Sequence, residues 1–249
     1  MKLEGQRILI TGGGSGIGLE LARGLADAND VFIAGRDEAK LERARAEIPK
    51  LRTLRLDVTS EPEAREAIKQ LAGAVGGLDL LVNNAGLLRS YALSAADAEQ
   101  WSVEDVEANV IGPIRMTRLA LPLLETSPEA GIVFVSSAVA LAAVPGYAVY
   151  AATKAALHSL ARSLRAELGG SRIRVFEVLP PVVDTGPVSG VDVPKVSPVA
   201  VAEAIINGLR RDREEIRVGA VRQLAPLARL MPRLADRIVT KALTPRADA

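Results

Sequence analysis

The stretch ILITGGGSGIG, residues 8–18, constrains the fold more than any other part of the chain. Four apolar or β-favouring residues precede five glycines within seven positions, and each glycine costs conformational entropy on folding. Glycine directly after a strand permits a tight turn and a close approach of backbone to ligand, and a following helix offers its N-terminus to an anion. The stretch therefore predicts a strand, a phosphate-binding turn and a helix. A glycine-rich connector without a ligand is the alternative.

Short apolar runs alternate with alanine-rich, charged runs along the rest of the chain. The predicted strands are RILIT, DVFIAGR, LRTLRLDV, LDLLVNNAG, GIVFVSS and IRVFEVLPP. Continuous apolar strands separated by helices indicate a parallel sheet covered on both faces. Right-handed crossovers make this a doubly wound α/β sheet of the Rossmann type. Because no repeat or linker splits residues 1–249, a single domain is expected.

Two segments lie outside this alternation. Residues 184–198, DTGPVSGVDVPKVSP, are predicted to form a substrate loop, because ligands bind beyond the carboxyl ends of such strands. Residues 222–243 form an amphipathic helical extension, with apolar Leu224, Leu227, Leu230, Leu234 and Ile238 and basic Arg229, Arg233, Arg237 and Lys241. The pattern favours a cover over the substrate cleft or a subunit contact, and a basic helix on anionic lipid is the alternative.

Composition excludes several function classes. The net charge of +1 is too small to attract nucleic acid through the overall electrostatic field of the protein. The absence of cysteine excludes thiolate chemistry and disulfides, and with one histidine we expect no metal site. No apolar run reaches the roughly 18 residues of a membrane span, and no targeting segment is recognised, so a cytoplasmic protein is expected.

The glycines have the spacing T-G-x-x-x-G-x-G, with Gly12, Gly16 and Gly18 fixed, rather than G-x-G-x-x-G. Together with NNAG at residues 83–86, Asn109, Ser137 and the YAATK sequence at residues 150–154, this spacing resembles the short-chain dehydrogenase/reductase family. The resemblance spans about residues 5–205 and is strongest to the DltE-type oxidoreductases. It implies a nicotinamide dinucleotide bound by Gly12, Ser15, Gly16, Ile17, Gly18, Arg36, Asp57, Val58, Asn83, Ala85, Gly86, Tyr150, Lys154, Pro180, Val183 and Thr185.

The end of the second strand predicts which dinucleotide is preferred. Gly35 occupies the place of the acid that selects NAD, and Arg36 follows, where a guanidinium can pair with a 2′-phosphate. NADP(H) is therefore expected, with NAD(H) possible. A solvated Arg36, with Asp37 capping the next helix or binding ribose, is the alternative. Ser15 departs from the pattern, since a basic residue there is the family's other common NADP marker.

Tyr150 and Lys154 lie four residues apart in a helical stretch and so share one face. An ammonium near a phenol favours its ionised form, which predicts a lowered Tyr150 pKa and a proton-transfer pair. Ser137 follows a strand, where its hydroxyl can stabilise a developing oxyanion. Ser136 is its neighbour, and Tyr147 is a weaker rival to Tyr150 because no lysine lies four residues after it.

The resemblance supplies the roles. Tyr150 would exchange a proton with the carbonyl or alcohol oxygen, Lys154 would hold the nicotinamide ribose, Ser137 would orient the substrate, and Asn109 would hold a water. Pro181 replaces the family's glycine in PPVVDT, residues 180–185, while Val183 and Thr185 can still meet the carboxamide. His158 fits a packing or interface role better than acid-base catalysis.

The predicted function is thus an NADP(H)-dependent carbonyl reductase or alcohol dehydrogenase that transfers hydride directly to or from a small molecule. A non-catalytic nucleotide-binding protein and a non-redox lyase or epimerase of the same fold are the alternatives. Family habit implies a homodimer or homotetramer.

Overall fold

The computed structural model describes residues 1–184 and 195–243, apart from the side chains of residues 242 and 243. Its strands are β1 (Arg7–Thr11), β2 (Asp30–Gly35), β3 (Arg52–Arg55), β4 (Leu80–Asn83), β5 (Ala130–Val135), β6 (Ile173–Leu179) and β7 (Glu215–Arg217). They pair in parallel in the order β3-β2-β1-β4-β5-β6-β7. The doubly wound Rossmann-type sheet predicted from the sequence is confirmed. Strand β7 was not predicted, because its three residues, EIR, give too short a pattern.

The helices lie on both faces of the sheet. They are α1 (Gly16–Leu25), α2 (Glu38–Glu47), α3 (Glu61–Val75), α4 (Ala98–Val106), α5 (Gly112–Leu124), α6 (Ala148–Glu167), α7 (Pro198–Arg210), α8 (Val221–Leu230) and α9 (Pro232–Leu243). A π-helical segment, Glu107–Ile111, joins α4 to α5. Pro226 lies inside α8 without ending it, and Pro232 begins α9.

The strands divide the hydrophobic core into two layers. Side chains alternate across a strand, so Ile8 and Ile10 enter the layer shared with α1, α2 and α7. Leu9 enters the opposite layer, shared with α3, α5 and α6. Each layer buries one face of the sheet, which fixes the register of the strands and the positions of their carboxyl ends.

No helix in the described ranges is long and apolar enough to cross a membrane.

Candidate active site

The site lies at the carboxyl ends of β1, β4, β5 and β6. Strands β1 and β4 are neighbours although two strands separate them in sequence, so the chain leaves them in opposite directions across the sheet. This is the switch point at which ligands bind in open α/β sheets. The glycine-rich turn follows β1, and NNAG, the two serines and the double proline belong to the ends of β4, β5 and β6.

Close packing of the turn requires its glycines. Gly12 and Gly16 have φ values of +66° and +56°, in the left-handed region that favours glycine. A Cβ on Gly12 would lie 2.9 Å from the Ala85 Cα, and one on Gly18 would lie 2.4 Å from the Gly12 carbonyl oxygen. Part of the glycine content thus serves the contact between the turn and the loop after β4.

The N-terminus of α1 fits an anionic ligand. Its N-cap, Ser15, makes no side-chain cap hydrogen bond, and the first turn contains no acidic residue. The first N–H groups of a helix have no carbonyl partner within it, and together they carry partial positive charge. Gly16, Ile17 and Gly18 occupy this turn, so the chain leaves donors and positive potential where the pyrophosphate of a dinucleotide would lie.

The NNAG loop is bound to the glycine-rich turn. The Thr11 hydroxyl accepts hydrogen bonds from the backbone N–H groups of Asn84 and Ala85, each at 3.1 Å. The Asn84 side chain donates to the carbonyls of Thr11 and Gly12, at 3.0 and 3.1 Å. Asn83 is buried and donates to the Thr117 hydroxyl at 3.1 Å. Sequence reasoning singled out Asn83 and missed Asn84, whose place in NNAG was the available signal.

Three predicted residues converge at Gly86. A Cβ on this residue would lie 2.7 Å from the Asn109 Oδ1 and 3.6 Å from the Lys154 Nζ. Asn109 is fully buried in the π-helical segment, a type of distortion that is frequent at functional sites. Its Oδ1 accepts from the Leu87 N–H at 2.7 Å, and its amide donates to the Leu87 carbonyl and to the Thr153 hydroxyl. Both amide hydrogens of Asn109 already have acceptors, so a water can bind this residue only at its side-chain or backbone oxygen.

The residues expected to meet the adenosine end lie near β2 and β3. Arg36 is exposed and has no carboxylate within 4.0 Å in the described part of the chain. Asp37 caps α2 by accepting from the Lys40 N–H at 3.0 Å, as the alternative reading supposed. The Asp57 Oδ1 accepts from the Thr59 N–H and hydroxyl, at 2.9 and 2.7 Å. Val58 is buried beside Gly112.

Ser137, Tyr150 and Lys154 line one cavity of about 670 Å³. Ser137 caps the short helical turn after β5, accepting from the Val139 N–H at 3.4 Å. Lys154 is 5% exposed, and its Nζ donates to the Val135 carbonyl at 3.1 Å. The same Nζ lies 5.6 Å from the centre of the Tyr150 ring. Tyr147 also lines the cavity, but Tyr150 is the tyrosine beside the lysine and the serine.

Burial has the largest effect on the pKa values of Tyr150 and Lys154. It raises the pKa of Tyr150 to about 12, against a smaller lowering by the Ser137 hydrogen bond. It also lowers the pKa of Lys154 to about 8, because the ammonium is removed from water. The expectation of a lowered Tyr150 pKa is therefore wrong for the chain alone, because the burial of the phenol outweighs the influences that lower this pKa. The protonated phenol is the stable form at neutral pH, which suits Tyr150 to donate a proton.

The end of β6 forms another wall of the cavity. Pro180 is buried and accepts a hydrogen bond from the Ala138 N–H at 2.9 Å, which ties this end to the Ser137 turn. Pro181 and Val183 line the cavity, and Val183 forms a parallel bridge with Val196. Thr185, and residues 185–194 of the predicted substrate loop, lie outside the described residues.

The cavity wall away from Ser137 and Tyr150 is mostly aliphatic. Leu88, Val139 and Val144 contribute from the loops after β4 and β5. The extension contributes Leu224, Leu227, Ile238 and Val239 from α8 and α9. In the described residues, Lys154 is the one charged side chain that lines this cavity.

Comparison with known proteins identifies the family. The short chain dehydrogenase family model matches residues 6–192. The uncharacterized oxidoreductase DltE of Bacillus subtilis is 36% identical over 225 residues, which cover 87% of this chain and 89% of that protein. The fold and the site define a dinucleotide-binding oxidoreductase. The chain belongs to the short-chain dehydrogenase/reductase family, and the resemblance to DltE predicted from the sequence is confirmed.

Solved structures share the fold over nearly the whole chain. A short chain dehydrogenase from Burkholderia cenocepacia, in complex with NADP, superimposes with a TM-score of 0.86 at 27% identity, covering 98% of this chain and 100% of that one. A 3-ketoacyl-(acyl-carrier-protein) reductase from Brucella melitensis, complexed with NADH, gives a TM-score of 0.79 at 28% identity, covering 87% and 98%. These neighbours support a nicotinamide cofactor and leave the choice between NADP and NAD open.

Proposed function

We propose that the protein is an NADP(H)-dependent carbonyl reductase or alcohol dehydrogenase in which Tyr150 is the acid and base. The observation that carries this proposal is the convergence of Ser137, Tyr150 and Lys154 on one cavity beside the glycine-rich turn. A nucleotide-binding protein without chemistry has no need for a phenol and a buried ammonium at this place. Burying a lone ammonium is costly, which argues for a function that uses it.

Reduction needs a hydride and a proton. When bound, the nicotinamide supplies the hydride to the carbonyl carbon or accepts it in the reverse reaction. Tyr150 donates its phenolic proton to the carbonyl oxygen as negative charge develops there, and Ser137 donates a hydrogen bond to the same oxygen. Lys154, held by the Val135 carbonyl, stabilises the phenolate that remains and binds the ribose hydroxyls. In oxidation, the phenolate takes the alcohol proton.

The preference for NADP(H) rests on Arg36 and Gly35. Arg36 is exposed and has no carboxylate partner within 4.0 Å in the described residues, so its guanidinium is available to a 2′-phosphate. Gly35 supplies no carboxylate that would repel that phosphate or bind the hydroxyl of NAD. The NADP complex of the Burkholderia neighbour is consistent with this preference, and the NADH complex of the Brucella neighbour keeps NAD(H) as an alternative.

The aliphatic wall favours a neutral, largely apolar carbonyl compound. A carboxylate placed beside Leu224, Leu227 and Val239 would lose its hydration without gaining a partner. A hydrocarbon chain there would gain about 0.8 kcal/mol for each buried methylene. We expect kcat/KM to rise with chain length across a series of aliphatic ketones.

We also infer a homodimer or homotetramer. Val103, Val106 and Ile114 on α4 and α5 are exposed apolar side chains, and burial against a second copy would remove them from water. Light scattering would measure the mass. A monomer at all accessible concentrations would refute this inference without affecting the proposed reaction.

The decisive experiment follows NADPH oxidation by the purified protein over a panel of ketones and aldehydes, with NADH in parallel. Tyr150→Phe removes the phenolic hydroxyl and keeps the ring, and Tyr147→Phe is the matched control in the same cavity. We expect turnover that prefers NADPH, falls by about 10²-fold or more in Tyr150→Phe, and persists in Tyr147→Phe.

Other outcomes distinguish the alternatives. Tight NADPH binding without turnover on any carbonyl would support a binding protein. Conversion of a substrate without net NADPH consumption would support a lyase or epimerase.

A further inference from the structure

Helices α8 and α9 present an apolar stripe to solvent at the turn between them. Leu230 is 80% exposed, Met231 54%, Ile238 48% and Leu234 37%. We call these four residues the α8–α9 stripe. Other faces of the same helices are covered, because Val221 and Ala235 are buried and Leu224, Leu227 and Val239 line the cavity. The extension therefore has an inner apolar face that closes the cavity and an outer one that lacks a cover in the described structure.

The helices that carry the stripe have a large excess of basic over acidic side chains. Residues 221–241 contain Arg222, Arg229, Arg233, Arg237 and Lys241 against one carboxylate, Asp236. The carboxylate of Asp236 already accepts a hydrogen bond from the Ala143 N–H at 2.9 Å. None of the five cations has a carboxylate within 4.0 Å among the described residues, whereas Arg and Lys side chains on α1, α2 and α3 form ion pairs.

The cations and the stripe lie side by side on α9. Arg233, Arg237 and Lys241 recur every four residues and so share a face. Leu234 is three residues before Arg237, and Ile238 is three before Lys241, which makes each pair neighbours on the helix surface. An apolar stripe beside a row of cations is the pattern of a helix that lies in a membrane interface, with its apolar side in the acyl boundary and its cations at anionic headgroups.

The charge argues against a second copy of the chain as the cover. A two-fold interface brings the same patch of both subunits together, so the arginines of one copy, Arg233 and Arg237 among them, would share the interface with those of the other. Without intervening carboxylates, this arrangement is repulsive. An anionic surface has the complementary charge, and each lysine or arginine near it adds to the attraction.

We propose that the α8–α9 stripe and its flanking cations dock the protein on the surface of an anionic lipid bilayer. Ile238 belongs both to the stripe and to the cavity lining, so the docked face adjoins the cavity that the proposed reaction uses. The docking itself is independent of the proposed function. Its test therefore does not rely on catalysis.

The test is co-sedimentation of the full-length protein with vesicles of phosphatidylcholine, with or without 30% phosphatidylglycerol. We expect binding to the anionic vesicles that weakens as salt increases, because exposed charges are screened. Arg233→Glu/Arg237→Glu should lower the partition coefficient about tenfold or more. Arg43→Glu/Arg45→Glu, an equal charge change on the surface of α2, should leave it within about twofold.

The apolar contribution is tested by Leu230→Ser/Met231→Ser, with Leu93→Ser/Val199→Ser as the control at exposed apolar positions elsewhere. We expect only the first pair to weaken vesicle binding. Circular dichroism and NADPH binding would show that each variant is folded.

Either of two results would overturn the proposal. One is a failure to prefer anionic vesicles, seen as equal binding to anionic and neutral vesicles or as no binding at millimolar lipid. The other is a loss of oligomeric mass in Leu230→Ser/Met231→Ser without a change in vesicle binding, which would show that a second copy covers the stripe.

Discussion

The imidazole of His158 on α6 and the carboxylate of Glu177 on β6 are joined by a hydrogen bond, with Nδ1 and Oε2 2.8 Å apart. Glu177 is fully buried, and its Oε1 accepts the hydroxyl proton of Ser136 at 2.5 Å. His158 is one turn after Lys154, and Ser136 precedes Ser137, so this network connects α6 to the end of β5, the two elements that carry the residues of the proposed reaction. His158 does not line the cavity in the described structure, which fits a packing role rather than acid-base catalysis.

The first prediction concerns the pH dependence of stability. The hydrogen bond to Glu177 raises the pKa of His158 above its usual value. The protonated imidazole therefore stabilises the folded state fully below about pH 6.5, and this contribution is lost as pH rises through the folded-state pKa. His158→Gln keeps a neutral donor but cannot take a proton. We expect it to lower the free energy of unfolding by about 1–2 kcal/mol at pH 6 and by less at pH 9.

Urea denaturation of both proteins across this pH range measures the difference. Glu177→Gln provides the control, since removing this carboxylate should remove most of the pH dependence that His158 contributes, and Glu215 accounts for a smaller part. A difference between wild type and His158→Gln that does not change with pH would contradict the assignment.

The two adjacent serines should respond differently to truncation. Ser137→Ala removes the hydroxyl beside Tyr150, and we expect kcat to fall by about 10²-fold with little change in stability. Ser136→Ala leaves the buried Glu177 with one partner fewer, so we expect a loss of about 1–2 kcal/mol in unfolding free energy and activity within a few-fold of wild type. Steady-state kinetics and urea denaturation of each variant separate these effects. Equal losses of kcat in the two variants would place Ser136 in the reaction.

Cofactor choice is testable at β2 because the structure has room for a side chain there. A Cβ on Gly35 would meet its nearest neighbour, the Leu41 Cδ2, at 3.7 Å, an ordinary contact. Gly35→Asp places a carboxylate at the end of β2, and we expect the ratio of kcat/KM for NADPH to that for NADH to fall by about tenfold or more. Arg36→Ala should move the ratio in the same direction.

The matched control is Arg43→Ala, an exposed arginine on α2 that should leave the ratio unchanged. An unchanged ratio in both Gly35→Asp and Arg36→Ala would show that the 2′-phosphate is recognised elsewhere.

We expect Lys154 to lower the stability of the folded protein although the proposed reaction requires it. Because burial lowers its pKa to about 8, the folded protein releases this proton before the unfolded chain does. The contribution of Lys154 to the free energy of unfolding is therefore lowest below pH 8, and it increases between about pH 8 and 10.4. We expect Lys154→Met to lower kcat by about 10²-fold or more and to raise the free energy of unfolding at pH 7 by about 1 kcal/mol or more.

Lys40→Met, at an exposed lysine of α2, controls for the loss of one positive charge. A destabilised Lys154→Met protein would show that the hydrogen bond to the Val135 carbonyl outweighs the cost of burying the charge.

Local patterns were enough to predict the sheet, the glycine-rich turn after β1 and the proximity of Tyr150 to Lys154. Short, continuous apolar runs rich in β-branched residues, such as DVFIAG and GIVFV, indicate buried parallel strands when they alternate with helical patterns, and the glycines mark the turn after β1. Tyr150 and Lys154 could be placed together because four residues make one helical turn. Each of these inferences depends on residues that are close in sequence.

Contacts between distant residues could not be predicted in this way. The pairing of His158 with Glu177 and the contact of Gly86 with Asn109 depend on how strands and helices pack. The direction of the Tyr150 pKa shift depends on packing in the same way, because the sequence places an ammonium nearby but does not show that both groups are buried. The π-helical segment at Asn109 and strand β7 have no distinct local pattern.

The side chains of the candidate site come from the ends of strands that are neighbours in space but separated in the chain. Asn84 follows β4, Ser137 follows β5, and Lys154 reaches back from α6 to the carbonyl of Val135. Parallel pairing of this kind must close long loops before its contacts form, so it is slow. During refolding, enzymatic activity should therefore return with the last phase of sheet assembly, later than the helical signal in circular dichroism.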